Sequence, residues 1–288
     1  MLRAKTRIAV PNKGRIRDPI IKLLEAAGLG PQYTPDNTRV LVAPTPNPDT
    51  VIVFLRHEDI PVAVEAGAVD IGFAGHDYVI EAGVAVREVL DVEIGRAKLM
   101  LAVPEGYADT VEELPRGVRI ATKYVRIATN YVSRKGICAR IVRVSGSAEI
   151  APLLGIADAI IDVVSTGTTL SLHGLKPIDT VLETSVKLIV PKEVKSDVMD
   201  VVEIIASVVR ARKLKLVMMN VPDRCLEKVL SVLPAMAGPS ISRIEGAKEP
   251  MWEVITAVRE DELAHVLLEA KRAGARDILV LNVERLIP

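Results

Sequence analysis

Along this chain short continuous apolar runs alternate with stripes at helical spacing, and the alternation predicts an α/β protein. The first run, residues 7–10, is a strand. Asp18-Pro19 then offers an N-cap and a first-turn proline, Ile20, Leu23, Leu24 and Ala27 share one helical face, and Gly28 closes the helix. Extended segments follow at 39–43 and 51–55 around the turn-rich PTPNPD of 44–49. A short helix starts at Glu58 and is stopped by Gly67; residues 69–73 are the next strand, and Asp77 falls near the start of another helix.

From about residue 89 the pattern predicts a second α/β unit, with strands at 99–103, 118–121 and 141–144, helices at 130–135 and 149–154, and a strand at 157–164. A strand at 185–190 and a long helix at 196–210 follow. The tail reads as a strand at 213–221, a helix capped by Asp223 and striped by Leu226, Val229, Leu230 and Leu233, and a hairpin of 241–245 with 251–258. A helix ended by Gly274 and a strand at 278–283 complete it. This βαββαβ order is a ferredoxin-like module, a fold put to many uses.

Composition narrows the function. At 288 residues the chain has room for two or three domains, and its hydrophobic share of 49% includes no run of the roughly 18 residues a membrane span needs. The N-terminus moves into a short strand and a proline, not an apolar leader, so no membrane partner is expected. Cys138 and Cys225 lack metal-ligand spacing and are expected as small core residues in a reducing cytosol, a cytoplasmic setting. With 37 basic and 37 acidic residues no general positive field exists for nucleic acid, and aromatics at 3% give no stacking platform. Polyanionic small ligands must be met locally, by clusters such as Lys13, Arg15 and Arg17 or Lys123 and Arg126.

The most informative stretch is DAIIDVVSTGTTL at 158–170. A buried-strand run carries two carboxylates, Asp158 and Asp162, and stops at Ser165-Thr166-Gly167-Thr168-Thr169, where a helix could begin. Backbone N–H groups at such a junction, with hydroxyls beside them, form an anion cradle. Carboxylates read at the carboxyl end of the same strand suit ribose hydroxyls or a Mg²⁺ bridged to phosphate. The alternative is an ordinary strand with a Ser/Thr turn that caps the next helix.

This segment resembles the phosphoribosyl-diphosphate loop of the ATP phosphoribosyltransferase family, and further segments match in order: RIAVPNKGR at 7–15, VDIGFAGHD at 69–77, RIATKY at 119–124 and Ser147-Ala-Glu149. The part from Leu216 through Gly274-Ala275 resembles the regulatory domain of the family's long form. Val125 stands where the family has Pro, Ser240 where it has Thr, and His173-Gly174 where it has Asn-Gly.

The resemblance implies a two-lobed, periplasmic-binding-protein-like catalytic core plus a C-terminal ferredoxin-like regulatory domain. Lobe I would be residues 1–88 and 184–211, lobe II 89–183, and the regulatory domain 212–288. It implies attack of ATP N1 on C1′ of phosphoribosyl diphosphate, with Mg²⁺, histidine as feedback inhibitor, and dimers that assemble into hexamers. Glu149, Asp158 and Lys13 would be catalytic; Arg15, Asp70, Tyr124 and Asp162 would bind substrate; Ser165, Thr166, Gly167, Thr168 and Thr169 would hold the 5-phosphate. Asn220, Ser240 and Ala275 would contact the effector. Such a reaction needs no nucleophilic side chain, so His57, His76, His173 and His265 are expected to be structural. Two other readings stay open: a two-lobed solute-binding protein, and a phosphoribosyltransferase with another acceptor.

Overall fold

The computed structural model describes residues 6–34, 41–164, 168–234, 238–246 and 249–288. The chain divides into two compact units, Met1–Val202 and Glu203–Pro288.

The first unit runs β1 (Thr6–Pro11), α1 (Arg17–Ala26), β2 (Val42–Pro44), β3 (Thr50–Leu55), α2 (Ile60–Glu65), β4 (Ile71–Gly75), α3 (His76–Ala82) and β5 (Val86–Asp91). It continues through β6 (Ala97–Pro104), β7 (Val118–Thr122), α4 (Val125–Lys135), β8 (Ala139–Arg143), β9 (Ala159–Val164), α5 (Thr168–Leu172), β10 (Leu175–Thr184) and β11 (Val186–Pro191), into α6 (Ser196–Ala211). Two sheets result, ordered β2-β3-β1-β4-β11-β5 and β10-β6-β9-β7-β8. β1 and β4 sit inside the first sheet, which is why Ile8, Ala9, Val10, Ile71 and Phe73 read as unbroken apolar runs. α2 lies so close on β4 that a Cβ at Gly72 would stand 2.7 Å from Ile60 and 2.8 Å from Val64.

The chain passes between the sheets twice, through residues 92–96 and at Ser185, and the crossings are bonded to each other: Val92 N donates to Val186 O at 3.1 Å and Val186 N to Ile94 O at 2.9 Å. Asp91 Oδ2 accepts from Ser185 Oγ at 2.9 Å and Lys187 Nζ at 2.8 Å. This two-lobed form, with two connections, is the expected periplasmic-binding-protein-like class.

Several expectations need correction. β10 has no counterpart in the sequence pattern because two register shifts, at 177/179 and 180/182, break its alternation, and Pro177 is tolerated on this edge strand. The helix expected at 149–154 is only a 3₁₀ turn, Ala148–Ile150. Lobe I continues through β5 to Asp91, past residue 88. α1 begins at Arg17 with Ile16 at the N-cap, so Asp18 lies inside the first turn. The compact units part within α6, at 202/203, while the first strand of the C-terminal fold starts at Leu214, just after the expected boundary at residue 211. Cys138 is exposed, not a core residue.

The second unit holds β12 (Leu214–Pro222), α7 (Leu226–Leu230), β13 (Ser240–Arg243), β14 (Met251–Arg259), α8 (Leu263–Ala273) and β15 (Arg276–Asn282). Its sheet is ordered β13-β14-β12-β15, with every pairing antiparallel, as a ferredoxin-like module requires. Val217, Met219, Val221, Val254 and Val258 pack with Val229, Val266 and Ala270. Asp223 does not cap α7; its Oδ1 accepts from Trp252 Nε1 at 2.7 Å. Gly274 closes α8 at φ +114°, and a Cβ there would meet Cys225 Sγ at 2.6 Å. Among the described residues no helix is long and apolar enough to cross a membrane.

Candidate active site

The buried strand β4 ends at Gly75 and α3 starts at once, which places Asp77 in the first helical turn with only 5% of its surface exposed. A Cβ on Gly75 would stand 2.3 Å from Asp77 Oδ1, so glycine leaves room for the carboxylate. Three contacts hold it. Asp77 N donates to Thr184 Oγ1 at 3.1 Å, Thr184 Oγ1 donates to Asp77 Oδ1 at 2.8 Å, and Tyr124 Oη donates to Asp77 Oδ2 at 2.9 Å. Thr184 ends β10 just before the crossing at Ser185 and Tyr124 belongs to lobe II, so one carboxylate on lobe I is tied to lobe II and to the edge of the passage between them. Burial, then the Asp77 charge, pushes the Tyr124 phenol well above its ordinary pKa, keeping it a donor.

Beside this knot, Lys123 Nζ donates to Tyr78 Oη at 3.2 Å and lies 4.9 Å from the Tyr124 ring centre and 5.4 Å from that of Tyr78. Burial works to lower its pKa, but Tyr78, Asp162 and Asp77 outweigh it, and the ammonium is favoured. Glu81 caps α4 from the other lobe, its two oxygens accepting from Arg126 N and Ile127 N, each at 3.0 Å. His57 meets Tyr78 edge to face at 5.5 Å, and burial lowers its pKa.

A cavity of about 270 Å³ is lined by Arg15, Asp77, Lys123, Tyr124, Val163 and Thr184, among others. These residues come from the Lys-Gly-Arg turn, the Gly-x-Asp segment, the Ile-Ala-Thr-x-Tyr segment and the strand before the hydroxyl-rich loop. Segments spaced along the chain thus meet around one space. A recess of about 920 Å³ shares Tyr78, Lys123 and Tyr124 with it and adds Glu58, Glu81 and Arg143. Near the end of β9, burial raises the Asp162 carboxyl; the Val163 N–H at 2.7 Å and Lys123 oppose this, while Glu149 adds to it. Lys123 and Glu149 therefore both act on the Asp162 carboxyl. Lys13 and Arg15 are exposed in the turn after β1.

Two expected ligand residues are elsewhere. Asp158 precedes β9 and lies at its amino end, about 20 Å of strand away from the carboxyl end. Its Oδ2 accepts from Arg119 N at 2.9 Å and Nε at 3.0 Å, and its Oδ1 from Nη2 at 2.7 Å, while Arg119 Nη1 donates to Gly155 O at 2.8 Å. Asp70 repeats the device ahead of β4: Oδ2 accepts from Arg7 N at 2.8 Å and Nε at 2.9 Å, and Arg7 Nη2 donates to Gly67 O at 2.9 Å. Both aspartates are clasps that fix where a strand enters its sheet. Neither lines the two cavities described above.

Ser165, Thr166 and Gly167 lie outside the described residues, and Thr168 and Thr169 open α5. In the second unit, Asn220 Nδ2 donates to Asp277 Oδ2 at 3.1 Å, next to the buried Ala275. Ser240 is exposed on the edge strand β13, opposite Ile255. Asn220 and Ala275 are thus close at the β12/β15 pairing, with Ser240 two strands away.

Asp77 and His57 lie outside the expected site residues, and Lys123 is expected only as a local cation for polyanionic ligands. Asp77 ends a matched segment, where the pattern predicts a helix start; its role comes from partners 47 and 107 positions away. Among the described residues, no three His, Cys, Asp or Glu side chains are grouped to hold a metal ion.

The family model described as ATP phosphoribosyltransferase matches residues 56–211, and that described as HisG, C-terminal domain, matches residues 211–285. An ATP phosphoribosyltransferase from Ignicoccus hospitalis is 55% identical over 285 residues, covering 98% of this chain and all of that protein. One from Sulfurisphaera tokodaii is 46% identical, over 98% of this chain and 99% of that one. Among solved structures, the ATP phosphoribosyl transferase (HisG:HisZ) complex from Thermotoga maritima contains a chain 26% identical, with a TM-score of 0.61, covering 70% of this chain and 94% of that one.

Proposed function

The chain belongs to the ATP phosphoribosyltransferase family, and from that premise we propose that it transfers the phosphoribosyl group of phosphoribosyl diphosphate to N1 of ATP in the first step of histidine biosynthesis. The observation that carries the reading is the meeting of Arg15, Asp77, Lys123 and Val163 around one cavity.

The N1 lone pair forms the bond to C1′ while the C1′–O bond breaks and its electron pair leaves with pyrophosphate. Positive charge grows on the ribose and negative charge on the leaving group. Asp162, near the end of β9, and Glu149 supply carboxylate charge for the ribose side. Lys123, whose charge acts on Asp162, is the fixed cation. Lys13 and Arg15, exposed in their turn, meet phosphate oxygens, and the loop 165–169 takes the 5-phosphate. Mg²⁺ in such reactions is held by one or two carboxylates and by the substrate's phosphates; Glu149 and Asp162 are the carboxylates that would hold it, and no protein-built cage exists among the described residues. When bound, it would neutralise diphosphate charge.

The second unit is proposed as the histidine-binding regulatory domain, the enzyme as a cytoplasmic homo-oligomer, dimer or hexamer. Purified protein given ATP, phosphoribosyl diphosphate, Mg²⁺ and a pyrophosphatase should form phosphoribosyl-ATP, and less of it with histidine present. Absence of product in that mixture would refute the transfer reaction, and product insensitive to histidine would refute the regulatory assignment.

A further inference from the structure

Helix α4 begins without a cap of its own. The side chain of its N-cap residue, Tyr124, makes no capping bond, and the first turn, Val125, Arg126 and Ile127, holds no acidic residue. Arg126 puts a cation at the helix end that favours an anion. Helix α3 has the opposite defect. Its last turn has no basic residue, and Glu81 stands there, where a helix favours a cation.

Each helix supplies what the other lacks. The two Glu81 oxygens accept from Arg126 N and Ile127 N at 3.0 Å each, the second and third amides of α4 and the donors that a cap satisfies. In return the Arg126 guanidinium fills the space that a Cβ on Gly83 would need, at the left-handed residue that closes α3. Glu81 and Arg126 each break a rule in their own helix and obey it in the neighbouring one. The helices belong to different lobes, so separation of the lobes would break both contacts.

Lys123 and Tyr124 immediately precede α4, so the way its first turn is held sets how they enter the cavity. Their own bonds, to Tyr78 and Asp77, also reach α3. One helix of lobe I therefore grips the entry to α4 at four residues.

We propose that Glu81 is a positioning residue: by capping α4 from the opposite lobe it fixes Lys123 and Tyr124, so that the first turn of α4 and the closed cleft form and are lost together. The inference rests on the transfer reaction proposed above. A displaced Lys123 would meet the charge that develops in the transition state less well, while Lys13 and Arg15 would still meet the phosphates of the bound substrates. Loss of the cap therefore falls on turnover more than on binding.

The test uses the full-length enzyme and Glu81→Gln, which keeps the shape but removes the charge and one of the two acceptors. Turnover should fall about tenfold or more, while KM for ATP and for phosphoribosyl diphosphate stays within about threefold. Amide hydrogen exchange should quicken about tenfold in peptides covering residues 125–128 and keep the wild-type rate in those covering β12. A second change separates positioning from contact. Proline at 125, the family's residue there, lacks the first-turn N–H and presets φ for a helix start. Tyr124, at φ −94° and ψ 65°, is already outside the helical region that a following proline disfavours. Val125→Pro added to Glu81→Gln should slow exchange again and return turnover to within about threefold of wild type.

Wild-type turnover in Glu81→Gln overturns the proposal. So does a loss confined to KM for ATP with exchange unchanged, which would make Glu81 a contact of the nucleotide, or a Val125→Pro rescue of exchange that leaves turnover low. If Glu81→Gln does not fold, Glu81→Asp, whose shorter side chain draws back from the α4 amides, is measured in the same way. A wild type that makes no phosphoribosyl-ATP removes the transfer reading, while exchange in the two variants still decides whether α4 is capped across the lobes.

Discussion

The Tyr124 hydroxyl donates to Asp77 Oδ2 at 2.9 Å, joining the start of α4 in one lobe to the first turn of α3 in the other. Tyr124 is 1% exposed and Asp77 5%, so water does not replace the bond here. Tyr124→Phe should destabilise the protein by about 1–3 kcal/mol, the cost of a buried carboxylate that loses a donor. Asp77→Asn should lose part of the same energy, and the double variant should be less destabilised than the sum of the two. Urea unfolding of the four proteins measures the coupling, and strict additivity would show that the contact contributes nothing.

The Asp158 and Arg119 clasp makes a different prediction. Asp158→Asn removes the charge at the amino end of β9, away from the cleft, so KM for phosphoribosyl diphosphate should stay within about twofold of wild type. Thermal stability should fall instead. The Arg119 guanidinium, opposed by burial and aided by the Arg119 backbone N–H, holds the Asp158 carboxyl below its ordinary 3.8. A depressed carboxylate stabilises the fold above the unfolded-state value and loses that contribution as pH falls through the folded one. The difference in melting temperature between wild type and Asp158→Asn should therefore persist at neutral pH and close as pH drops below 3.8. A large KM change with an unaltered melting curve would return Asp158 to the substrate site.

Why the sequence misplaced Asp158 is instructive. Its spacing from Asp162 puts both on one side of an apolar run, and the hydroxyl-rich loop fixes which end of that run faces ligand. Strand rise then separates the two carboxylates along the sheet, and only Asp162 is near the loop end. β1, β3, β7 and β9 were legible because buried parallel strands are continuous apolar runs; β10 was not, since its bulges scramble face and register. The lining of the cavity was half legible. The matched segments named Arg15 and Tyr124, whereas the places of Asp77 and His57 depend on contacts made only after folding: a phenol from the other lobe, and the edge of the Tyr78 ring.

His76 and Glu88 form a pH-dependent pair on lobe I. His76 Nδ1 lies 2.7 Å from Glu88 Oε1, and this hydrogen bond, opposed by burial and helped by the Glu88 charge, raises the imidazole above its ordinary 6.5. Lys187 works against the shift and Asp77 with it. A raised histidine contributes stability that is complete below 6.5 and is lost as pH rises through the folded value. Replacing His76 with Asn should therefore lower the melting temperature more at pH about 6 than at pH about 9. A gap that is constant with pH, or wider in base, would mean that the charged pair does not form.

In the second unit, Asn220 lies at the pairing of β12 with β15, its amide bonded to Asp277, which holds a left-handed backbone at φ +49°. A strained position braced by one side chain is a suitable place for an effector to act, because binding can redistribute a bond already present. If histidine binds there, Asn220→Ala should raise the histidine concentration needed for half-inhibition by about tenfold, a loss of roughly 1.4 kcal/mol of binding, while turnover without histidine stays near wild type. Linkage adds a second requirement. Whatever coupling histidine exerts on substrate affinity must be returned by substrate on histidine affinity, so saturating substrate should weaken histidine binding by the same factor by which histidine weakens substrate binding. Calorimetric titration of histidine with and without substrates measures that factor. An Asn220→Ala enzyme with unchanged histidine sensitivity would move the effector away from the β12/β15 pairing, to a surface that this side chain does not reach.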